Sequence, residues 1–197
     1  YARNPELVIN FYNERRKQLL DVVPNAGHLG VADLERDFNV TVVTQNVDNL
    51  HERAGSTHVI HLHGELTKVC SSRDPYNPHF VKELAPEEYE VKLGDKAGDG
   101  TQLRPFIVWF GESVPEIETA IRYVEQADIF VIIGTSLNVY PAAGLLNYVP
   151  RAAEVYLIDP KPVDTHVMRP IHVIQKGASE GVKELKALLT VTQPPLP

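Results

Sequence analysis

The sequence predicts a doubly wound α/β fold, in which helices cover both faces of a parallel sheet. Strand-type and helix-type patterns alternate along most of the 197 residues. The run at 129–133 is continuously apolar, which is typical of a strand that is buried on both faces. Polar clusters directly follow predicted strands, and the carboxyl ends of strands are where open α/β sheets bind ligands.

Helix and strand signals place the elements of this fold. Asn4 and Pro5 suit the N-cap and the first position of a helix, Gly55 suits the end of one, and Ser179 suits another N-cap. The predicted helices are 5–21, 27–37 with Leu29, Ala32 and Leu34 facing inward, 49–54, 116–126, 141–148 and 179–189. The predicted strands are 40–44, 58–62, 106–110, 129–133 and 155–158.

The stretch from Ser71 to Arg104 has no sustained period, and prolines, glycines and charged residues are frequent in it. We therefore predict a small inserted module there. The proline-rich stretch 191–197 is predicted to be a tail.

The composition excludes several classes of function. A net charge of -7 opposes general nucleic-acid binding, and no apolar run is long enough to cross a bilayer. Cys70 is the single cysteine, so an intrachain disulfide and a four-cysteine zinc site are both excluded. A single cysteine suits a reducing compartment, and we predict a cytoplasmic protein, with the mitochondrial matrix as the alternative.

Two polar segments are the most informative part of the sequence. Thr44-Gln45-Asn46-Val47-Asp48-Asn49-Leu50-His51 follows one predicted strand, and His61-Leu62-His63-Gly64-Glu65 follows the next. The imidazole of a residue such as His63 exchanges a proton near neutral pH. We therefore predict a ligand site at this edge of the sheet.

The histidines also suggest a metal site as an alternative. His61 and His63 share a face of the predicted strand, and a third ligand would have to come from Asp48 or Glu65. Because that third ligand is not evident, we predict no metal.

Two further features allow a functional and a plain interpretation. Gly134, Thr135 and Ser136 follow a buried strand and precede a helix, which suits a nucleotide contact. An ordinary turn is favoured at these three residues, because no G-x-G-x-x-G pattern accompanies them. Asp159 ends the next strand, where it equally suits a bond to ribose or a turn before Pro160.

Tyr12 and Arg15 are three residues apart on the first predicted helix, so they share a face. Together a phenol and a guanidinium can hold a carboxylate. Taken from the residues alone, a solvated basic stripe with a half-buried Tyr12 is the favoured interpretation.

Taken together, the ordered motifs resemble those of the sirtuin family of NAD-dependent protein-lysine deacylases. The resemblance runs from Asn4 to about Leu189, through 44–51, His63-Gly64-Glu65, 108–112 and Gly134-Thr135-Ser136-Leu137 with Tyr140-Pro141-Ala142. It implies a Rossmann-like fold and NAD as the cofactor. It also implies removal of acyl groups from lysine in proteins or peptides, which yields nicotinamide and O-acyl-ADP-ribose.

The resemblance also implies roles for single residues. His63 would act as the general base on a ribose hydroxyl, with Asn46 and Asp48 lining the pocket for nicotinamide and ribose. Gln45 would orient the ribose, and the other implied cofactor contacts are Gly134, Thr135, Ser136, Asp159 and Ala178. Implied contacts to the substrate backbone are Val108, Trp109, Phe110, Gly111 and Glu112. Within the family, the Tyr12/Arg15 pair resembles that of enzymes that remove malonyl, succinyl or glutaryl groups, so the resemblance favours an acidic-acyl pocket.

The sequence departs from the sirtuin pattern in two places. Sirtuins commonly hold a structural zinc with four cysteines, but this sequence has only Cys70. We therefore predict no zinc here, and we expect Phe80, Leu84 and Tyr89 to hold the module by apolar contacts. A Gly-Ala-Gly-x-Ser loop does not precede Tyr1 in this sequence. The alternative function is therefore a non-catalytic module that binds ADP-ribose or an acyl peptide.

The motifs and the family resemblance together predict the domain organisation of the chain. Residues 1–70 and 105–190 would form the NAD-binding domain, with a helical insert on the substrate side near 1–38. Residues 71–104 would form the small module in place of the zinc-binding region, and 191–197 the tail.

Overall fold

The computed structural model describes residues 1–135, 142–163 and 167–191. Contacts divide the chain into two compact units. Unit 1 comprises 1–23, 43–50 and 61–115, and unit 2 comprises 24–42, 51–60 and 116–197. The predicted division into an NAD-binding domain and an inserted module comes from sequence patterns and the family resemblance, not from contacts, and it stays a prediction.

Unit 1 contains one long helix and an antiparallel sheet. Helix α1 spans Pro5–Asp21, and the sheet has the order β4-β3-β5. The strands are β3 at Gly64–Ser71, β4 at Lys82–Glu83 and β5 at Leu103–Ile107. Between β3 and β5 the chain forms single helical turns at Pro78–Phe80 and Pro86–Glu88.

Helix α1 begins where the sequence predicts it. The side chain of Asn4 accepts a hydrogen bond from Leu7 N at 3.1 Å, and Pro5 takes the first helical position. The buried residues Ile9, Asn13, Arg16 and Leu19 recur every three or four positions, so they form one face of the helix.

That face is joined to the rest of unit 1 by apolar and polar contacts. Ile9 packs with Val69 and Val91 in a buried cluster. Asn13 donates to the carbonyl of Val91 at 2.8 Å, and Arg16 donates to the carbonyl of Tyr89 at 2.8 Å. Burial lowers the pKa of Arg16 to about 10, so its charge is retained and is stabilised by backbone carbonyls.

Polar contacts around Asp99 hold part of segment 71–104. Ser71 Oγ donates to one carboxylate oxygen at 2.6 Å, and Thr101 Oγ1 donates to the other at 2.7 Å. The guanidinium of Arg73 donates to the carbonyl of Asp99 at 3.1 Å. Cys70 is buried beside this network, and burial raises the pKa of its thiol to about 12.

Of the three apolar side chains expected to hold this segment, Leu84 packs against the Ile9 cluster and the ring of Phe80 lies against Gly98. Tyr89 contributes its carbonyl to Arg16 instead. Polar residues rarely reveal their partners in a sequence, so the Asp99 network was not predicted.

Unit 2 contains a parallel three-stranded sheet in the order β6-β7-β8. Its strands are β6 at Ile129–Ile133, β7 at Glu154–Ile158 and β8 at His172–Ile174. The helices of this unit are α2 at Ala26–Asp33, α4 at Ile117–Val124, α5 at Ala142–Leu145 and α6 at Ala178–Val191. The core contains Val31 from α2, Ile158 from β7 and Val182 from α6.

The remaining elements join the units along the chain. Strands β1 at Val42–Thr44 and β2 at Val59–His61 pair with each other, and α3 spans Leu50–Ala54. Gly55 ends α3 with a φ of 111°, as predicted.

The predicted α/β class is confirmed, and most predicted elements exist. Within the described residues, no helix is long and apolar enough to span a membrane.

Five details of the sequence prediction are wrong. Strands β3 and β4 were not predicted, although β3 is eight residues long. Leu29 is 52% exposed, because α2 buries Gly27 and Val31 instead. Helix α6 begins at Ala178, so Ser179 lies inside it and is not its N-cap. Strand β5 ends at Ile107, so 108–110 is not a strand. Strand β8 was missed, because three residues beginning with His172 give too short an apolar signal.

The Asp99 network predicts a dependence of stability on acid. Hydrogen bonds from Ser71 and then Thr101 lower the pKa of Asp99 to about 2 from its ordinary value of 3.8. A carboxylate with a lowered pKa stabilises the fold above its unfolded pKa, and this contribution is lost as the pH falls from about 4 towards 2. We expect Asp99→Asn to lower the melting temperature at pH 7 and to flatten its decline between pH 4 and 2, measured by circular dichroism.

Glu87→Gln is the matched control, because it removes a carboxylate of the same segment that is exposed. It should leave the melting temperature at pH 7 close to that of the wild type. An Asp99→Asn protein that melts like the wild type at pH 7 would contradict this account of the segment.

Candidate active site

Unit 1 contains a cavity of about 380 Å³ between α1 and the polar segment after β1. Its size lies in the range of ligand sites in proteins. Arg15 from α1 and Asp48 face it from the two sides, and they are the cation and the anion among the lining residues that the structure describes. The lining residues are Arg15, Gln18, Leu19, Val22, Gln45, Asn46, Val47, Asp48, Leu50 and Leu66.

Backbone contacts fix the polar segment of this cavity. Asn46 N donates to Thr44 Oγ1 at 3.0 Å, and Leu66 N donates to the carbonyl of Val47 at 2.7 Å. One carboxylate oxygen of Asp48 accepts from Leu50 N, the first residue of α3, at 3.0 Å. The side chain of Asp48 is thereby held in place.

Two amides of the same segment are buried without a hydrogen-bond partner in the described part of the chain. They are the Nε2 donor of Gln45, which lines the cavity, and the Oδ1 acceptor of Asn49. A buried polar group without a partner costs roughly 1–3 kcal/mol. Such an orphaned donor fits a ligand that carries hydroxyl or amide oxygens, and the nicotinamide riboside half of NAD carries both.

His63 lies in the turn between β2 and β3, where its side chain is half-buried. Its carbonyl accepts from Val108 N at 2.9 Å, which joins it to the segment after β5. His63 is not among the residues that line the cavity. A half-buried imidazole remains open to exchange of a proton with a bound ligand.

His61 has a different environment from His63. Its ring is buried, and Nδ1 donates to the carbonyl of Asn46 at 3.1 Å. Nε2 lies 3.9 Å from the carboxylate of Glu65. His61 therefore links β2 to the polar segment. The strand pattern predicted that His61 and His63 share a face, but their imidazoles lie in different environments.

Gly64 follows His63 in a conformation that requires glycine. Its φ is 89°, a left-handed value that residues with a side chain rarely adopt. A Cβ there would overlap the carbonyl oxygen of Phe106 and lie 2.9 Å from the Cα of Ile107. The close approach of β3 and β5 at this point therefore depends on the missing side chain.

The segment Val108–Glu112 leaves β5 as a turn. Glu112 N donates to the carbonyl of Trp109 at 3.0 Å, and Gly111 has a φ of 85°. The side chain of Phe110 is fully exposed. Burial opposes ionisation of Glu112, but hydrogen bonds from Arg104 and Tyr76 outweigh it and leave the pKa of Glu112 lowered.

The Tyr12 and Arg15 side chains both contact Phe11, but Arg15 alone of the pair lines the cavity. Arg15 lines the cavity, and its guanidinium lies 5.9 Å from the centre of the Phe11 ring. Tyr12 is half-buried, packs edge-on against Phe11 and is not among the lining residues.

The predicted cofactor residues of unit 2 follow the parallel strands. Gly134 follows β6 with a φ of 65°, and Gly134 N donates to the carbonyl of Ile158. Asp159 follows β7, and its carboxylate accepts from Lys161 N at 2.8 Å in a turn of the kind that the plain interpretation describes. Ala178 begins α6. Ser136 lies outside the described residues.

Sequence reasoning missed three residues near these sites. Gln18 lines the cavity one helical turn after Arg15, a spacing that would have indicated it. Asn49 belongs to the polar segment but was not singled out. Arg104 contacts Glu112 and Trp109, and nothing in the sequence pattern indicates those contacts.

Comparison with known proteins identifies the family. Residues 1–141 match the sequence profile described as "Sir2 family". The chain belongs to the Sir2 family. The predicted sirtuin resemblance is thus confirmed at the level of the family, while the acidic-acyl subgroup and the absence of zinc stay predictions.

Sequence relatives of this sirtuin are enzymes by name. A protein of Bacteroides thetaiotaomicron named NAD-dependent protein deacylase is 82% identical over 189 residues, covering 96% of this chain and 81% of the relative. A Helicobacter pylori protein of the same name is 46% identical over 185 residues, covering 94% and 78%.

Solved sirtuin structures share the fold. A Sir2 homologue in complex with NAD is 37% identical with a TM-score of 0.79, covering 97% of this chain and 74% of that one. A Sir2 structure bound to a propionylated peptide is 27% identical with a TM-score of 0.76, covering 98% and 82%. These matches confirm the Rossmann-type α/β fold.

The orphaned amide of Gln45 predicts opposite effects on stability and on ligand binding. Because Gln45→Leu removes an unpaired buried donor, we expect it to raise the free energy of unfolding by about 1 kcal/mol. The same change should weaken binding of ADP-ribose or NAD about tenfold, measured by titration calorimetry.

Gln102→Leu is the matched control in unit 1. Its amide is fully used, since Oε1 accepts from Gly94 N and Nε2 donates to the carbonyls of Lys92 and Leu103. Gln102→Leu should lower stability by about 1 kcal/mol. Equal destabilisation by both substitutions would show that Gln45 is satisfied within the protein.

Proposed function

We propose that this sirtuin is an NAD-dependent protein deacylase that favours lysine acyl groups ending in a carboxylate, namely malonyl, succinyl and glutaryl. The enzyme class and the cofactor follow from the family and from relatives that carry the name NAD-dependent protein deacylase. The preference for acidic acyl groups is the finer part, and the charge in the cavity supports it.

Arg15 is the observation that carries this preference. It places a guanidinium at a cavity whose other described lining residues are neutral, apart from Asp48. One oxygen of Asp48 accepts from Leu50 N, and no hydrogen bond joins Arg15 to Asp48 within the part of the chain that the structure describes. A guanidinium binds carboxylate in a bidentate manner, so an acyl carboxylate would find its partner there. The contribution of Tyr12 to the same group rests on the family resemblance.

Three residues of the polar segment would bind the nicotinamide riboside half of NAD. Bound NAD would supply an electrophilic anomeric carbon from which nicotinamide can leave. Asn46 and Asp48 would hold the nicotinamide riboside, and the Nε2 donor of Gln45 would bond one of its oxygens. A carboxylate and oriented amides stabilise the positive charge that develops on the sugar.

His63 would take a proton from a ribose hydroxyl at an imidazole nitrogen. The half-buried ring and the anchored backbone of this residue suit a general base near neutral pH. Gly134, Thr135, Ser136, Asp159 and Ala178 are proposed contacts to the remainder of the dinucleotide.

The segment Val108–Glu112 would pair with the backbone of the acylated peptide. Addition of a strand is a recurring mode of peptide capture, and it needs exposed backbone next to an ordered sheet. The exposed turn after β5 has that character. The alternative of a non-catalytic module is not favoured, since the relatives named above are enzymes.

Replacement of Arg15 tests the acyl preference. We expect Arg15→Met to lower kcat/KM for a succinyl-lysine peptide by about 10- to 100-fold, because hydrogen bonds to a charged group contribute about 1.5–3 kcal/mol. The kcat/KM for the acetyl-lysine peptide of the same sequence should change by less than about threefold. Nicotinamide release from NAD provides the measurement.

Lys17→Met is the control for loss of a positive charge on α1. Lys17 is exposed and, two positions from Arg15, lies on a different face of the helix. It should leave the ratio of succinyl to acetyl turnover unchanged. Equal losses on both substrates with Arg15→Met would refute the selectivity, and a wild type that releases no nicotinamide would refute the enzyme function.

A further inference from the structure

Arg104 is a buried cation that the proposed reaction does not use. It lies in β5 and is 4% exposed. Burial of a charge is costly unless the charge is paired and hydrogen-bonded, so each contact of this guanidinium needs an account.

The contacts of Arg104 converge on the segment that follows its own strand. Its Nη1 and Nη2 donate to the two carboxylate oxygens of Glu112 at 2.8 and 3.2 Å. Its Nη2 also donates to the carbonyl of Ile107 at 2.7 Å. The guanidinium carbon lies 3.7 Å from the centre of the Trp109 ring, which is a close cation–π contact.

These contacts fasten the segment at its start, its middle and its end. Ile107 is the last residue of β5, Trp109 lies in the turn, and Glu112 closes it. Tyr76 adds one hydrogen bond by donating from its hydroxyl to Glu112. Phe110 and Gly111, between the fastened residues, are exposed and are left available to a ligand.

Few other interactions fix this turn. The described backbone bonds are those from Val108 N to the carbonyl of His63 and from Glu112 N to the carbonyl of Trp109. The ring of Tyr1 also packs on Trp109, with ring centres 5.1 Å apart. Loss of the guanidinium would therefore leave the turn held by these two backbone bonds, the Tyr76 hydrogen bond and the Tyr1 ring contact.

We propose that Arg104 is a positioning residue that holds Val108–Glu112 in the conformation that receives the acylated peptide. The inference rests on the proposed role of that segment in substrate binding. Its physical basis is the planar guanidinium, which meets a carboxylate, a carbonyl and an aromatic face at once, whereas a lysine ammonium presents a single point charge.

The chain provides its own probe, because Trp109 is the single tryptophan. Its fluorescence therefore reports on this segment alone. We would titrate a succinyl-lysine peptide into wild type and Arg104→Lys and follow Trp109 emission. Acrylamide quenching of the free proteins would be measured in parallel, and circular dichroism would check the fold.

We expect Arg104→Lys to increase acrylamide quenching of Trp109 and to weaken peptide binding about tenfold. The KM for the peptide should rise by a similar factor, while kcat and the KM for NAD stay within about twofold of the wild type. Arg73→Lys is the matched control, since Arg73 lies in the same unit and its described partner is Asp99 rather than a residue of this turn. It should bind peptide as the wild type does.

If Arg104→Lys does not fold, Glu112→Gln tests the same positioning role of Arg104. It keeps the size of the side chain and removes the charge that the guanidinium grips, so it should shift quenching and peptide affinity in the same direction. Unchanged peptide affinity in the folded variant, with a wild type whose Trp109 responds to peptide, would overturn the role of Arg104. A wild-type Trp109 that does not respond to peptide would overturn the assignment of the segment itself, and the inference with it.

Discussion

The site depends on one short stretch of chain, residues 61–66, which is hydrogen-bonded on both sides. On one side, Leu62 N and Leu66 N donate to the carbonyls of Thr44 and Val47 at 2.9 and 2.7 Å. On the other side, the carbonyl of His63 accepts from Val108 N at 2.9 Å. The amide-rich segment, the candidate base and the proposed peptide-binding turn are thereby joined within unit 1. Gly64 makes this arrangement possible, because its left-handed φ of 89° and its missing Cβ let the chain pass against β5.

Unit 1 combines strongly satisfied polar groups with a few that are left unsatisfied. Asp99 and Arg104 are surrounded by hydrogen-bond partners, and Arg16 is stabilised by carbonyls although burial lowers its pKa to about 10. At the cavity, by contrast, the amide of Gln45 is buried without a partner in the described chain. Buried polar groups in native proteins are nearly always paired, so an unpaired donor beside a cavity is suited to bonding a ligand or water there. The same contrast explains why stability and function should respond in opposite directions at Gln45.

Local signals in the sequence predicted much of the fold. Asn4 and Pro5 start α1, because capping depends on adjacent residues. The run at 129–133 forms β6, because continuously apolar residues favour a buried strand. The polar cluster at 45–48 was found from the residues themselves, whereas Arg15 was singled out by the family resemblance, and both line the cavity. What could not be predicted depends on contacts across the chain. No periodic pattern or local motif indicates the contact of Arg104 with Trp109 or the network around Asp99. None indicates that Tyr12 is not among the residues lining the cavity. The end of β5 at Ile107 was missed because the apolar pattern continues through Phe110 although the chain turns.

The close passage of the chain at Gly64 holds the parts of the site together. Nicotinamide release from NAD in the presence of a succinyl-lysine peptide, compared between Gly64→Ala and Gly94→Ala, tests it most directly. Both glycines have a left-handed φ, but a Cβ at Gly94 has no atom within 4 Å, so only Gly64→Ala combines backbone strain with a steric overlap. We predict that Gly64→Ala, in protein that is folded by circular dichroism, loses at least about tenfold in rate, whereas Gly94→Ala stays within about twofold of the wild type. Equal rates for the two variants would contradict the account.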